Sequence, residues 1–270
     1  MRQNSVTIAC LLVFLTAVPS SAQAPRARRN PDALNESAAR SLGVPSPPNG
    51  PAPRLADGRP DLSGVWFGGG PAGTISIEDG LAPDETVPLL PDARKLKASR
   101  LAKDDPIVNC LPSGVPRIPL LPWRIVQTPT HIFFLFESDN KFRQIFIDGR
   151  AHPVGDALNP TWYGHSTGQW DGDTLVVDTV GFNDRSWFDY QAYPHTERLH
   201  VVERFMRRDF GTLENQITID DPGAYARPFT LTFRARLLPG LDLLEYVCNE
   251  NNKDPARMQG SAEAIPATPR

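Results

Sequence analysis

The chain has 270 residues, 40% of them apolar, and a formal charge of −3. That balance supplies an ordinary globular core but no basic surface for nucleic acid or an anionic membrane. Small molecules, polysaccharides and proteins are the partner classes left.

Residues 1–24 read as a signal peptide. Arg2 precedes an apolar run from Val6 to Val18, and Ala22-Gln23-Ala24 has the small-residue form of a cleavage site. The run is well short of the roughly twenty residues that cross a bilayer, so no integral membrane segment is expected after cleavage. The protein is therefore expected to be exported, to periplasm or medium. Loss of Cys10 with the peptide leaves Cys110 and Cys248, an even pair in a compartment where disulfides persist. Residues 25–60 follow as a proline-rich tether. Pro45, Pro47, Pro48, Pro51, Pro53 and Pro60 alternate with polar and small residues, and too little apolar surface is present to offset ordering; a short helix at Ala33 to Leu42 is the exception.

A single β domain is expected over 61–252, with a flexible tail at 253–270. Asp92 to Ala102 has helical spacing behind Pro91. Pro106 to Pro129 brackets Ile118, Leu120, Leu121 and Trp123 with prolines, which predicts an extended strap packed on the core. From His131 onward the period is two. Strands are expected at His131–Glu137, Phe142–Ile147, Thr174–Val180, Leu199–Met206, Thr212–Ile219, Phe229–Leu237 and Leu241–Cys248, with Trp170 leading into an Asp171-Gly172-Asp173 hairpin corner. Short strands at this spacing predict a mainly β fold, an antiparallel up-and-down barrel of lipocalin-like form or a sandwich, with one or two short helices.

Alternation along these strands places four charges on faces that otherwise read as core. Glu137 falls with Phe133 and Leu135, Arg143 with Ile145 and Ile147, Glu203 with Val201 and Phe205, and Glu245 with Leu243 and Val247. Buried charges must pair, line a wet cavity or neutralise. Glu203 and Glu245 are thus candidate acid–base groups, and Arg143, with Glu137, a candidate substrate clamp; a plain buried ion pair is the structural alternative. His165 is the leading single catalytic candidate, on a loop where Trp162, Tyr163 and Trp170 form an aromatic wall. His152, His165, His195 and His200 share a region but match no metal-ligand spacing, and no G-x-S-x-G or nucleotide-binding glycine signature occurs. No metal or cofactor is expected.

Two resemblances add to this reading. Gly64-Val65-Trp66 resembles the opening G-x-W of lipocalin-like, or calycin, barrels, which implies a Trp at the barrel bottom under an Arg near the last strand, here Arg234 or Arg236. Gly164-His165-Ser166-Thr167-Gly168-Gln169-Trp170-Asp171-Gly172-Asp173-Thr174-Leu175-Val176-Val177, with Glu245-Tyr246-Val247-Cys248-Asn249-Glu250-Asn251, resembles a family of exported, mostly uncharacterised bacterial proteins, which implies export and no particular chemistry. The functional expectation is a barrel enclosing a small, partly apolar organic molecule, with cofactor-free lyase, isomerase or hydrolase chemistry if it is catalytic. The alternatives are a non-catalytic lipocalin-like carrier and a carbohydrate-associated module presenting Trp162, Trp187 and Tyr190.

Overall fold

β-Branched and aromatic residues at alternate positions generate nine strands in the computed structural model, which describes residues 28–71, 76–118, 120–138, 140–250, 252, 253, 257, 258, 260 and 262. The expected signal peptide lies outside the described residues. The strands are β1 (Gly64–Gly68), β2 (Trp123–Gln127), β3 (His131–Phe136), β4 (Lys141–Phe146), β5 (His165–Asp171), β6 (Thr174–Val180), β7 (His200–Arg207), β8 (Thr212–Asp220) and β9 (Phe229–Leu237). Each pairs with the next and β9 returns to β1, so the sheet closes into a barrel.

An odd ring cannot alternate direction throughout. Each antiparallel seam reverses the chain, and nine reversals would bring β1 back pointing the wrong way, so at least one seam must be parallel. That seam is β4–β5, held by the pairs Ile145↔Ser166 and Phe146↔Thr167. The remaining seams are antiparallel. The up-and-down expectation is corrected to this extent: residues 147–164 cross over where a hairpin would have reversed the chain.

Three further local expectations change. The proline strap contains a wall strand, β2, in the gap between Pro122 and Pro129. His165 begins β5 and is not on a loop. Residues 241–248 form no strand, because the closed ring leaves no free edge for another strand to join.

Helix α1 (Pro31–Ser41) falls within the stretch read from composition as a tether. Asn30 caps it by accepting from Asp32 N at 3.0 Å, and Pro31 occupies its first turn. Its Ala39 packs with Val65, Phe67 and Leu238 outside β1 and β9, and Asn35 donates to the Arg234 carbonyl at 2.6 Å. Helix α2 (Pro91–Ser99) sends Ala93 into the core. No helix among the described residues is long and apolar enough to cross a membrane.

Inside the barrel are two apolar clusters. One holds Trp66, Trp123, Ile125, Phe134, Ile145, Val177 and Phe205; the other holds Val201, Ile217, Phe229, Leu231 and Phe233, with Phe182 and Phe188 from loops. Along β7 the inward order is Val201, Glu203, Phe205, and along β8 it is Ile217, Asn215, Leu213, so a polar waist separates the two. Beneath one cluster Arg207 lies over the Trp66 ring at 5.0 Å. The arginine over the G-x-W tryptophan is thus a β7 residue, whereas Arg234 and Arg236 reach outward to Asp32 and Glu36.

Cys110 and Cys248 form a disulfide with Cα atoms 5.6 Å apart, closing a sequence separation of 138 residues. Constraining so long a loop in the unfolded chain is worth on the order of 5 kcal/mol. Reduction is expected to lower the melting temperature by several degrees, read by circular dichroism with and without reductant; an unchanged midpoint with two titratable thiols would remove this contribution.

Candidate functional site

The waist is built by Arg143. From β4 its guanidinium points inward and crosses the parallel seam: Nη2 donates to Ser166 Oγ on β5 at 3.2 Å, Thr179 Oγ1 on β6 at 3.0 Å and Glu203 Oε2 on β7 at 2.5 Å. Glu203 Oε1 accepts from Asn215 Nδ2 on β8 at 3.3 Å. Arg143 is 3% and Glu203 1% exposed, which makes the pairing obligatory. The two interior charges that alternation placed together do meet, but each is taken up by the other. The geometry is that of a seam-spanning structural pair.

The other two charges lie elsewhere. Ile132, Phe134 and Phe136 are the inward residues of β3, so Glu137 falls on the outer side with Phe133 and Leu135, where its Oε2 accepts from Leu244 N at 2.8 Å. Glu245 is exposed on the non-strand segment 241–248. Of the aromatic wall, Tyr163 stacks on Phe136 at 5.8 Å and its hydroxyl is 3.4 Å from Ser113 Oγ. Trp162 and Trp170 are half-buried, Trp170 with its indole N–H buried and unpartnered. Trp187 is buried beneath Arg100, 5.0 Å from the ring, and is not available on an outer face.

His165 has a different aromatic partner. Gly164, at φ +66°, turns the chain where a Cβ would lie 2.7 Å from the Val180 carbonyl oxygen, and delivers His165 to the outer wall, stacked on Phe146 at 5.1 Å. Its Nδ1 is 2.8 Å from His152 Nδ1; His152 Nε2 is 3.0 Å from Asp178 Oδ1, and His200 Nε2 is 2.9 Å from Asp178 Oδ2. Burial, then the neighbouring His152 and Arg150, push His165 below its ordinary value, so it is neutral at pH 7. His165, His152, Asp178 and His200 thus form a chain of four groups, each within hydrogen-bond distance of the next. Among the described residues no three His, Cys, Asp or Glu side chains converge as a metal site.

A serine–histidine pair escaped sequence reasoning because no motif signals it. Ser186 Oγ lies 2.7 Å from His195 Nε2, and His195 Nδ1 lies 3.3 Å from the Thr196 carbonyl oxygen. His195 stacks on Phe188, and burial lowers its pKa to about 4. Ser186 is only 1% exposed, and a Cβ at Gly114 would sit 2.3 Å from its oxygen, so the strap seals it from solvent. Nearby Asp189 accepts from the backbone N–H groups of Ile77, Gln191 and Tyr193, yet burial pushes it up to about 6. These groups order residues 181–199, the cap over one end of the barrel.

Beside that cap is a pocket of about 240 Å³ lined by Ile107, Leu111, Ser113, Leu120, Leu121, Ser138, Tyr190, Tyr246 and Cys248. Its walls come from the strap, the β3–β4 turn, the cap and the segment after β9. Tyr190 is fixed from behind by Arg117, 4.2 Å from the ring, which is itself clamped to Asp105 by two 2.8 Å bonds. Among the described residues no charged side chain lines it. A wider cleft of about 690 Å³ on the outer wall is lined by Asp32, Glu85, Arg227 and Arg234, already joined as Arg234–Asp32 and Arg227–Glu85 ion pairs. The only sequence signals for the smaller pocket were the apolar strap and the paired cysteines.

Two predictions follow from these charges. Arg143→Ala or Glu203→Ala leaves one buried charge alone and is expected to cost about 3–5 kcal/mol, whereas the double change Arg143→Met with Glu203→Leu recovers most of it, measured by urea denaturation. Asp189 holds a proton in the folded state between about pH 4 and 6 that the unfolded chain has lost, so its contribution falls as pH rises; His195 refuses one between about pH 6.5 and 4, so its contribution falls as pH drops. Relative to wild type, Asp189→Asn should therefore lose stability more steeply on acidification through that window, and His195→Gln less steeply; parallel stability–pH curves would contradict both assignments.

With the geometry in place, comparison with known proteins supplies no further constraint: no family model, curated protein or solved structure matches the chain.

Proposed function

We propose that this protein is an exported β-barrel that binds a small, partly apolar organic molecule in the pocket beside Cys110–Cys248. The observation that carries the reading is the pocket's lining: four aliphatic side chains and two tyrosines form its body, with Ser113 and Ser138 hydroxyls at the wall. A concave, mostly apolar surface with a few polar groups is the general form of a small-molecule site. The barrel axis offers less room, because Trp66, Trp123, Phe134, Phe205 and Phe233 are fully buried there. The ligand expected inside the barrel is accordingly assigned to its end. The leader-like residues 1–24, the disulfide and the resemblance to exported bacterial proteins support export.

Carriage is favoured over catalysis for this pocket, since among the described residues its lining includes no carboxylate, imidazole or amine to move a proton. A catalytic reading has one specific support, the neutral His165 joined to His152 and Asp178, and it would place acid–base chemistry on the outer wall beside Phe146 and Arg150.

The test is calorimetric titration of 2-naphthol, a neutral hydroxylated aromatic, into wild type and Leu121→Asp. Saturable one-site binding is expected for wild type, weakened at least about tenfold by the buried charge, the equivalent of about 1.4 kcal/mol. Equal binding by the variant would move the site elsewhere.

A further inference from the structure

One wall of the pocket is not part of the barrel. After β9 the chain continues as an arm, residues 241–250, with no strand pairing, and it contributes Tyr246 and Cys248 to the lining. At its start Leu241 and Leu243 pack against Val65, Phe67 and Leu238; beyond them the noncovalent hold is Leu244 N donating to Glu137 Oε2 at 2.8 Å and Asn140 Nδ2 donating to the Tyr246 carbonyl at 2.5 Å, with Arg124 paired to Asp242 at the surface. Leu244, Tyr246 and Val247 are 69%, 40% and 49% exposed, so the stretch beside the disulfide buries little apolar surface to keep it in place. The firm attachment is covalent. Cys248 is bonded to Cys110, which ends the short 3-10 turn Pro106–Asn109 on the strap that forms the opposite wall, and both sulfur-bearing residues are only half-buried.

Two consequences meet here. A disulfide joining the two walls of one pocket holds them at high effective concentration, and opening it leaves the Tyr246–Cys248 end of the arm held by the Leu244–Glu137 and Asn140–Tyr246 hydrogen bonds, with Leu241 and Leu243 packed further back. Among the described residues the lining has hydroxyls but no acidic or basic side chain, so a charged ligand would lose water without gaining a partner. Resting on the binding function proposed above, we infer that Cys110–Cys248 is a redox latch on this pocket and that its occupant is a neutral molecule of one or two rings, smaller than the drug-sized ligands that fill pockets of roughly 300–1,000 Å³. The latch opens when a dithiol donor passes two electrons and two protons to the S–S bond, giving two protein thiols and the donor's own disulfide. Oxidation by the reverse exchange restores the wall.

The experiment is titration of oxidised and phosphine-reduced protein with 2-naphthol and with naphthalene-2-sulfonate, circular dichroism reporting whether the barrel persists. Oxidised protein is expected to bind 2-naphthol, with affinity at least about tenfold weaker after reduction and at least about tenfold weaker for the sulfonate. Equal affinity in the two redox states overturns the latch while the pocket stands. Equal affinity for the sulfonate overturns the neutral-ligand assignment. Failure of the oxidised protein to bind 2-naphthol strikes the binding function itself, and the inference with it. Should reduction unfold the barrel, Tyr246→Ala with the disulfide intact takes its place: a loss of at least about tenfold supports the arm as a wall, and unchanged affinity overturns it.

Discussion

Closing nine strands into a ring compels a parallel seam, and the Arg143–Glu203 pair spans it. Only two residue pairs register across β4–β5, against seven across β5–β6 and eight across β7–β8. The backbone ladder is weakest where the topology is most demanding. Arg143 compensates from inside, with donors that reach β5, β6 and β7 in turn. A buried guanidinium alone would be prohibitively costly, so the seam requires an acceptor on the far side, and Glu203 with Asn215 supplies it. Replacing the cluster with hydrocarbon would fill the volume but give up the directional bonds that specify which strand follows which.

The waist also explains the shape of the core. A polar layer across the barrel splits the apolar interior into two clusters, each of which must then be closed at its own end. One end is closed by Trp66 under Arg207, whose guanidinium also binds the carbonyls of Asp61 and Phe210. The other is closed by loops rather than a single ring: Phe182 and Phe188 enter the core, and His195, Asp189, Asp221 and Tyr225 satisfy backbone groups that a buried loop would otherwise leave unpaired. The perturbed Asp189 and His195 are therefore accounted for by loop ordering. Strongly shifted groups mark functional sites often enough that such a structural cause must be identified before a catalytic one is assigned.

Much of the wall was legible because alternation is unambiguous where one face is polar. In β7, His200, Val202, Arg204 and Met206 alternate with Val201, Glu203 and Phe205, so Glu203 could be placed inward from sequence. Arg143, opposite apolar Phe134 and next to Ile145, followed the same logic. The run His131–Phe136 defeated it: Phe133 and Leu135 are as apolar as Ile132, Phe134 and Phe136, so the period carries no sign, and Glu137 was assigned to the wrong face. β2 was hidden because five residues between two prolines look like a linker until strands on both sides recruit them. The segment 241–248 failed for the opposite reason, a strand-like pattern with no edge left to pair with. Local pattern specifies the propensity to pair, while ring closure decides which segments find a partner.

That same closure determines where function can reside. In a barrel of this girth the interior polar residues are consumed in holding strands together, and the remaining axis is filled by aromatic rings. The binding function proposed above is accordingly placed at an end, where connections vary without disturbing the ladder. The end opposite Trp66 is where the strap, the cap and the arm converge, and it is the arm, excluded from the sheet by ring closure, that turns an apolar surface into a pocket. Its exclusion leaves it with few backbone bonds, and the Cys110–Cys248 cross-link adds a covalent hold. The parallel seam, the unpaired arm and the disulfide are linked consequences of closing an odd number of strands, and the cross-link reinforces a wall that otherwise rests on Leu241, Leu243 and a few hydrogen bonds.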